Sequence, residues 1–287
     1  MRDVIIIGAP RSGTNMLRDS LASLDGWATW PCDEINAVWR RGIASNETDE
    51  LLPSMISRAT RRTVDGAFTW VRRKYRVDGV VEKTCANSLR VEFVDNLLPD
   101  ALFIFLYRDP LDAVASAARA WHTSKPLGYS LAKLRFVPGP DKPRLVWKHA
   151  IHRLNSARHA EGSHPWGPDF IGMRQMLDEG APVTTLCSMQ WSRCIENSVR
   201  GLRSLPSERV LSVSYEALCG RPGSTLGEIQ EWLGGKASKE NIKRAASEIH
   251  SASIGAHSRD LDDQTKKAIM DIAEGASTTI DQFAGRG

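Results

Sequence analysis

Little in the sequence ties the chain to a membrane, a metal or a disulfide framework. No run approaches the roughly 18 consecutive apolar residues that cross a bilayer. A core strand is expected within four residues of the N-terminus, which leaves no room for a signal peptide. Five cysteines, Cys32, Cys85, Cys187, Cys194 and Cys219, form an odd, scattered set without metal-ligand spacing. They read as reduced core thiols of a cytoplasmic protein with no metal site, and Cys187 and Cys194 share one helix face. No repeat, low-complexity tract or linker breaks the 287 residues, so one domain over 1–287 is expected. The net charge of +4 favours an anionic ligand but is too diffuse for nucleic acid, because acidic residues are interspersed among the basic ones.

What the chain does have is Val4-Ile5-Ile6-Ile7-Gly8-Ala9-Pro10-Arg11-Ser12-Gly13-Thr14-Asn15. Four branched apolar residues followed by Gly, Pro and Gly read as a buried strand running into a tight loop. Met16, Leu17, Leu21 and Leu24 then recur at helical spacing, so a helix starts near Thr14. Strand, glycine loop and helix make a cradle in which backbone N–H groups and a helix N-terminus face an anion. Gly8 and Gly13 keep the spacing of a nucleotide-hydrolysing P-loop, but Thr14 and Asn15 stand where Lys and Ser/Thr belong. The phosphate-reaching lysine and the magnesium-binding hydroxyl are therefore missing, and a basic side chain appears earlier instead, at Arg11.

Further along, polar residues recur at expected strand ends, where ligands bind in open α/β sheets. Trp27–Trp30 reads as a short strand leading to Asp33 and Glu34. Glu34 is either a general base or a capping acid on the helix carrying Ile35, Val38 and Trp39. Polar helices are expected within 48–76, and a short strand over 79–84 puts Lys83 at its end. Leu89–Leu98 reads as a helix. The most apolar stretch, Ala101–Tyr107, reads as a central strand ending in Arg108-Asp109-Pro110. Arg108 at such a place needs an anion, either Asp112 or a ligand phosphate. Ser116 lies about two turns up the next helix, with Arg119 one turn beyond.

Residues 123–182 read as a looser insertion around a basic helix near Leu145–Arg158, suited to recognising a second substrate. Helices are expected again from Val183 to Leu202, from Ser224 to Leu233 and around Ile269–Phe283. A last strand runs over 209–216 and ends in Tyr215-Glu216, and 254–261 is a loop or helix start. The fold class is α/β, a three-layer sandwich with a central, mostly parallel sheet flanked by helices, P-loop-like.

Together these strand ends resemble the sulfotransferases that use 3′-phosphoadenosine 5′-phosphosulfate (PAPS), especially the tyrosylprotein- and bacterial-type branch. Pro10–Asn15 resembles that branch's 5′-phosphosulfate loop. Tyr107-Arg108-Asp109-Pro110 with Ser116 resembles its 3′-phosphate motif. Ser214-Tyr215-Glu216-Ala217-Leu218 resembles the later strand-end motif, and Ser258-Arg259 sits where the family places a basic residue closing over the nucleotide. The resemblance implies PAPS as co-substrate, with Arg11, Ser12, Gly13, Thr14, Asn15, Arg108, Ser116, Arg119, Tyr215 and Arg259 binding it. It also implies Glu34, Arg11 and Lys83 as the catalytic set, with Glu34 taking the proton of an acceptor hydroxyl and no metal required. The acceptor is a small molecule or glycan, with carbohydrate or glycolipid placed ahead of a phenolic natural product or a peptide tyrosine. Nucleic acid and a membrane span are not expected. A P-loop-type kinase, which Thr14-Asn15 disfavours, and a non-catalytic nucleotide-binding protein are the competing classes.

Overall fold

The structure, a computed structural model, describes residues 2–43, 46–121, 166–235 and 237–285. Val4–Ile7 forms β1, buried throughout, and Thr14–Ala22 forms α1. Trp27–Ala28 (β2) and Asn36–Trp39 (α2) follow. The long helix Arg58–Tyr75 (α3) is started by a reciprocal cap between Ser57 and Thr60. Gly79–Glu82 (β3), Val91–Leu97 (α4), Leu102–Tyr107 (β4) and Pro110–Trp121 (α5) complete the first half. Next come Met173–Asp178 (α6), Val183–Leu202 (α7), Val210–Ser214 (β5) and Tyr215–Gly220 (α8). The chain closes with Pro222–Trp232 (α9), Lys239–Ser247 (α10), His257–Asp260 (α11) and Asp263–Ala284 (α12).

The strands form one sheet in the order β2-β3-β1-β4-β5, and every pair is parallel. The sheet expected as mostly parallel is thus wholly so among the described residues. Val4 pairs with Val81 on one side and Leu102 on the other, which places β1 at the centre. A strand buried on both faces needs apolar side chains in both directions. Val4 and Ile6 accordingly join Leu17 and Leu21 of α1 and Leu226 and Ile229 of α9. Ile5 and Ile7 join Phe68 of α3, Val114 of α5, Cys194 of α7 and Ala273 of α12. These are the two helical layers of the expected sandwich. No helix among the described residues is long and apolar enough to cross a membrane.

Several boundaries differ from the sequence reading. The strand expected over 27–30 is only Trp27–Ala28. Within 48–76 only α3 is α-helical, preceded by a single 3₁₀ turn at Pro53–Met55. The helix expected at Leu89–Leu98 is split into a 3₁₀ turn, Cys85–Leu89, and α4. The strand expected over 209–216 stops at Ser214, whose Oγ caps α8 by accepting from the Ala217 N–H at 3.0 Å, so Tyr215 and Glu216 are helical. Pro222, at the first turn where proline is tolerated, starts α9 two residues before the expected Ser224. Of the insertion expected over 123–182, residues 166–182 are described and include α6; the basic helix near 145–158 lies outside the described residues.

The topology fixes where a ligand goes. The chain leaves β1 toward the Val4/Ile6 face, through α1, but leaves β4 toward the opposite face, through α5. Adjacent parallel strands whose connections diverge in this way open a crevice beyond their carboxyl ends. The approach there is close: a Cβ on Gly8 would stand 2.4 Å from the Leu106 carbonyl oxygen.

Candidate active site

The loop from Gly8 to Gly13 lies at that crevice. Arg11 holds a left-handed backbone, φ 67°, and Gly13 another, φ 83°. A side chain on Gly13 would collide with the Tyr215 ring at 2.4 Å, so only glycine fits there. Gly13 is the N-cap of α1 and no side chain caps that end, so the first-turn N–H groups stay available. Ser12 and Thr14 are buried and Asn15 is exposed. The Ser12 Oγ has no partner among the described residues.

On the β3 side, Lys83 Nζ donates to Glu34 Oε1 at 2.7 Å and to Cys85 Sγ at 3.6 Å. The Cys85 backbone N–H donates to the same Glu34 oxygen at 3.3 Å. Lys83 is only 3% exposed along its side chain, against 28% for Glu34. Burial works against the lysine charge, but Cys85 and then Glu34 more than offset it and raise the Lys83 pKa above its ordinary value. Burial also pushes the Cys85 thiol up to about 11, so at neutral pH Glu34 is the anion that holds the ammonium charged. The N-cap of α2 is Ile35 and no side chain caps that end, which leaves the capping alternative for Glu34 without support.

On the β4 side, Arg11 Nε donates to Ser116 Oγ at 2.9 Å, and Arg108 Nη1 donates to the Arg11 carbonyl at 2.9 Å. Arg108 is 4% exposed, lies 4.2 Å over the Tyr215 ring and reaches Asp112 Oδ2 at 3.6 Å. Its Nη2 donates to the Ser253 carbonyl, while Nε has no partner among the described residues. Arg11 is exposed as a residue, yet desolvation around its guanidinium, followed by the Arg108 and Arg119 charges, lowers its pKa. Arg119 is half-exposed and pairs with Asp260; Arg259 is exposed on α11 and pairs with no carboxylate among the described residues.

Two arrangements here join the site through contacts that the sequence reading did not name. One is a strap, 253–257, held to the site by Asp112, which accepts from the Gly255 N–H at 2.7 Å and from the His257 N–H and Nδ1 at 3.0 Å each. The Tyr215 hydroxyl shares a 2.6 Å hydrogen bond with the Ser253 hydroxyl of the same strap. Asp109, Asp112 and His257 bring donor atoms within 4.8 Å of one another, but both Asp112 oxygens already accept backbone N–H groups. The other is Trp166, whose ring faces the Arg11 guanidinium at 5.9 Å. Gln190 holds that segment, donating to the Trp166 and Pro168 carbonyls at 2.9 and 2.8 Å. The expectation of core thiols holds for the buried Cys187, Cys194 and Cys219; Cys32 and Cys85 are half-buried beside Glu34, and no disulfide joins any of the five among the described residues.

A parallel sheet with an anion-type loop at its switch point and cationic side chains at two neighbouring strand ends defines an α/β enzyme of nucleotide-binding architecture. Residues 3–171 match the sulfotransferase family, which is more than half of the chain, and the protein belongs to that family. Membership makes it a sulfotransferase enzyme, a class that uses PAPS as co-substrate. The solved structures it is similar to have the same fold. The sulfotransferase domain from the curacin biosynthetic pathway aligns over 96% of this chain and 98% of its own, at 12% identity and TM-score 0.56. A sulfotransferase from Alicyclobacillus acidocaldarius aligns over 100% and 97%, at 14% identity and TM-score 0.50. STF9 from Mycobacterium avium aligns over 98% and 76%, also at 14% and 0.50. No curated protein matches the sequence.

Proposed function

We propose that the protein transfers the sulfuryl group of PAPS to an acceptor hydroxyl, with the nucleotide lying across the loop between Lys83 and Arg108. One observation carries this reading: Arg11 ties the glycine loop to the β4 side of the site, its side chain on Ser116 and its carbonyl on Arg108. The residues suit a nucleotide phosphorylated at both ends. Buried Ser12 Oγ and Arg108 Nε have no partner among the described residues, and Arg11, Arg108 and Arg119 crowd one another. Such crowding is costly until an anion enters.

In this proposal Ser12, Gly13, Thr14 and Asn15 offer the α1 N-terminus to the 5′-phosphate. Arg108 and Ser116 hold the 3′-phosphate, Tyr215 supports the Arg108 guanidinium from beneath, and Arg119 and Arg259 lie at the rim. When bound, PAPS supplies the sulfuryl group and a phosphate leaving group. Arg11 and Lys83 face the charge that gathers on that leaving group, and fixed donors of this kind contribute about 2.7–4 kcal/mol each. Glu34, held by Lys83, receives the proton of the acceptor hydroxyl, which is worth roughly 10²–10⁴-fold in rate. The acceptor is proposed as a small molecule or glycan, and five cysteines outside any disulfide favour a cytoplasmic setting. The test is to incubate sulfur-labelled PAPS and the enzyme with a host extract. Label appearing in an acceptor supports the reading, and label confined to PAPS and free sulfate overturns it.

A further inference from the structure

Glu82 is a carboxylate inside a buried strand, 1% exposed, where an unpaired charge would be costly. Burial pushes its pKa up, and hydrogen bonds from Thr84 and Trp39 pull it back. Its oxygens accept from Thr84 Oγ1 at 2.6 Å, Trp39 Nε1 at 3.2 Å and Asn87 Nδ2 at 3.0 Å. A threonine hydroxyl has one proton. With that proton committed to Glu82, Thr84 Oγ1 presents a lone pair, and it accepts from the Ile35 N–H at 3.3 Å. Ile35 is the residue after Glu34. The residue after that, Asn36, is held from both sides: its Oδ1 accepts from Arg90 Nη2 at 2.6 Å and its Nδ2 donates to Asp49 Oδ1 at 3.1 Å. Arg90 is in turn bound to Asn87, at 2.9 Å.

We infer that Thr84, oriented by Glu82, is a positioning residue that fixes the Glu34 backbone so that its carboxylate meets the acceptor. The inference rests on Glu34 being the base. Lys83 and the Cys85 N–H hold the Glu34 carboxylate itself. The backbone it hangs from leads into α2, a helix of four residues with no side-chain cap. Thr84 is what fixes that backbone at Ile35 to the tolerance that proton transfer needs. Neither Glu82 nor Thr84 touches the reacting groups in this scheme. Thr84 acts through the Ile35 peptide, and Glu82 acts by fixing which way the Thr84 hydroxyl points.

Thr84→Val keeps the shape and removes both hydrogen bonds, whereas Thr84→Ser keeps them. With sulfur-labelled PAPS and a host extract, Thr84→Val should lower the transfer rate by about 10²-fold, the scale of a misplacement near 1 Å. Adenosine 3′,5′-bisphosphate should still bind it as it binds the wild type in calorimetry, and Thr84→Ser should recover most of the rate. Hydrogen exchange at the Ile35 amide should quicken in Thr84→Val and not in Thr84→Ser. If Thr84→Val does not fold, Thr84→Ala replaces it with the same expectations. A full transfer rate in the apolar variant, a serine variant as impaired as the valine one, or a parallel loss of bisphosphate affinity would overturn the inference. Glu34→Gln run alongside separates the two levels. If it transfers at the wild-type rate, the base assignment fails; if it is dead while Thr84→Val is active, only the positioning role fails.

Discussion

The two halves of the candidate site handle charge differently. Beside β3, the buried Lys83 is matched in charge by Glu34 at 2.7 Å. Beside β4, Arg108 reaches Asp112 and Arg119 pairs with Asp260, while among the described residues the Arg11 Nε meets a neutral hydroxyl and no carboxylate. A closed pair preserves geometry for a proton transfer, while an excess of positive charge around a part-buried crevice invites an anion. On the proposed function, the same crevice keeps a neutralised half for chemistry and a positive half for binding.

The comparison is broken most forcefully at Glu34. Glu34→Gln should cut sulfate transfer by about 10²–10⁴-fold, leaving bisphosphate binding at its wild-type strength in calorimetry; equal loss of both would erase the division. Next in size is Arg108→Ala. Each charge-assisted hydrogen bond it removes is worth about 1.5–3 kcal/mol. The variant should therefore bind adenosine 3′,5′-bisphosphate much more weakly, with little change toward a nucleotide lacking the 3′-phosphate. A smaller effect concerns stability against alkali. Lys83 has a raised pKa in the folded chain. Its stabilising contribution is therefore fully present below the ordinary lysine value of 10.5 and is lost as pH rises through the folded value. Denaturant melts should show wild type exceeding Glu34→Gln at pH 8, with the gap narrowing above pH 11. The smallest expected change is Arg119→Ala, a half-exposed ion pair with Asp260 worth about 0.2–1 kcal/mol.

The sequence disclosed the parts of this site that are continuous in the chain. β1, the glycine loop and α1 were legible because a buried strand, two spaced glycines and a helical repeat adjoin one another. Arg108 was legible because a cation cannot follow a doubly buried strand without a partner, and one of the two suggested partners is there: Asp112 lies 3.6 Å away, while the Arg108 Nε has no partner among the described residues. Long-range partners were not legible. Asp112 meets Gly255 and His257 across more than 140 residues, and no periodicity encodes that. Tyr215 was read as a strand end because the apolar run continues past Ser214; the serine cap that turns it into a helix is a local hydrogen bond that the run conceals. The Glu82–Thr84 pair was not legible, because the strand over 79–84 offered only Lys83 at its end as a site residue. Its partners Trp39 and Asn87 emerged only from the fold.

The central claim is that this crevice takes adenosine phosphorylated at both ends. Calorimetry with adenosine 3′,5′-bisphosphate, AMP and ATP tests it most directly. The bisphosphate should bind the most tightly of the three, with the margin lost in Arg108→Ala. Equal or tighter binding of AMP or ATP by the wild-type protein would contradict it.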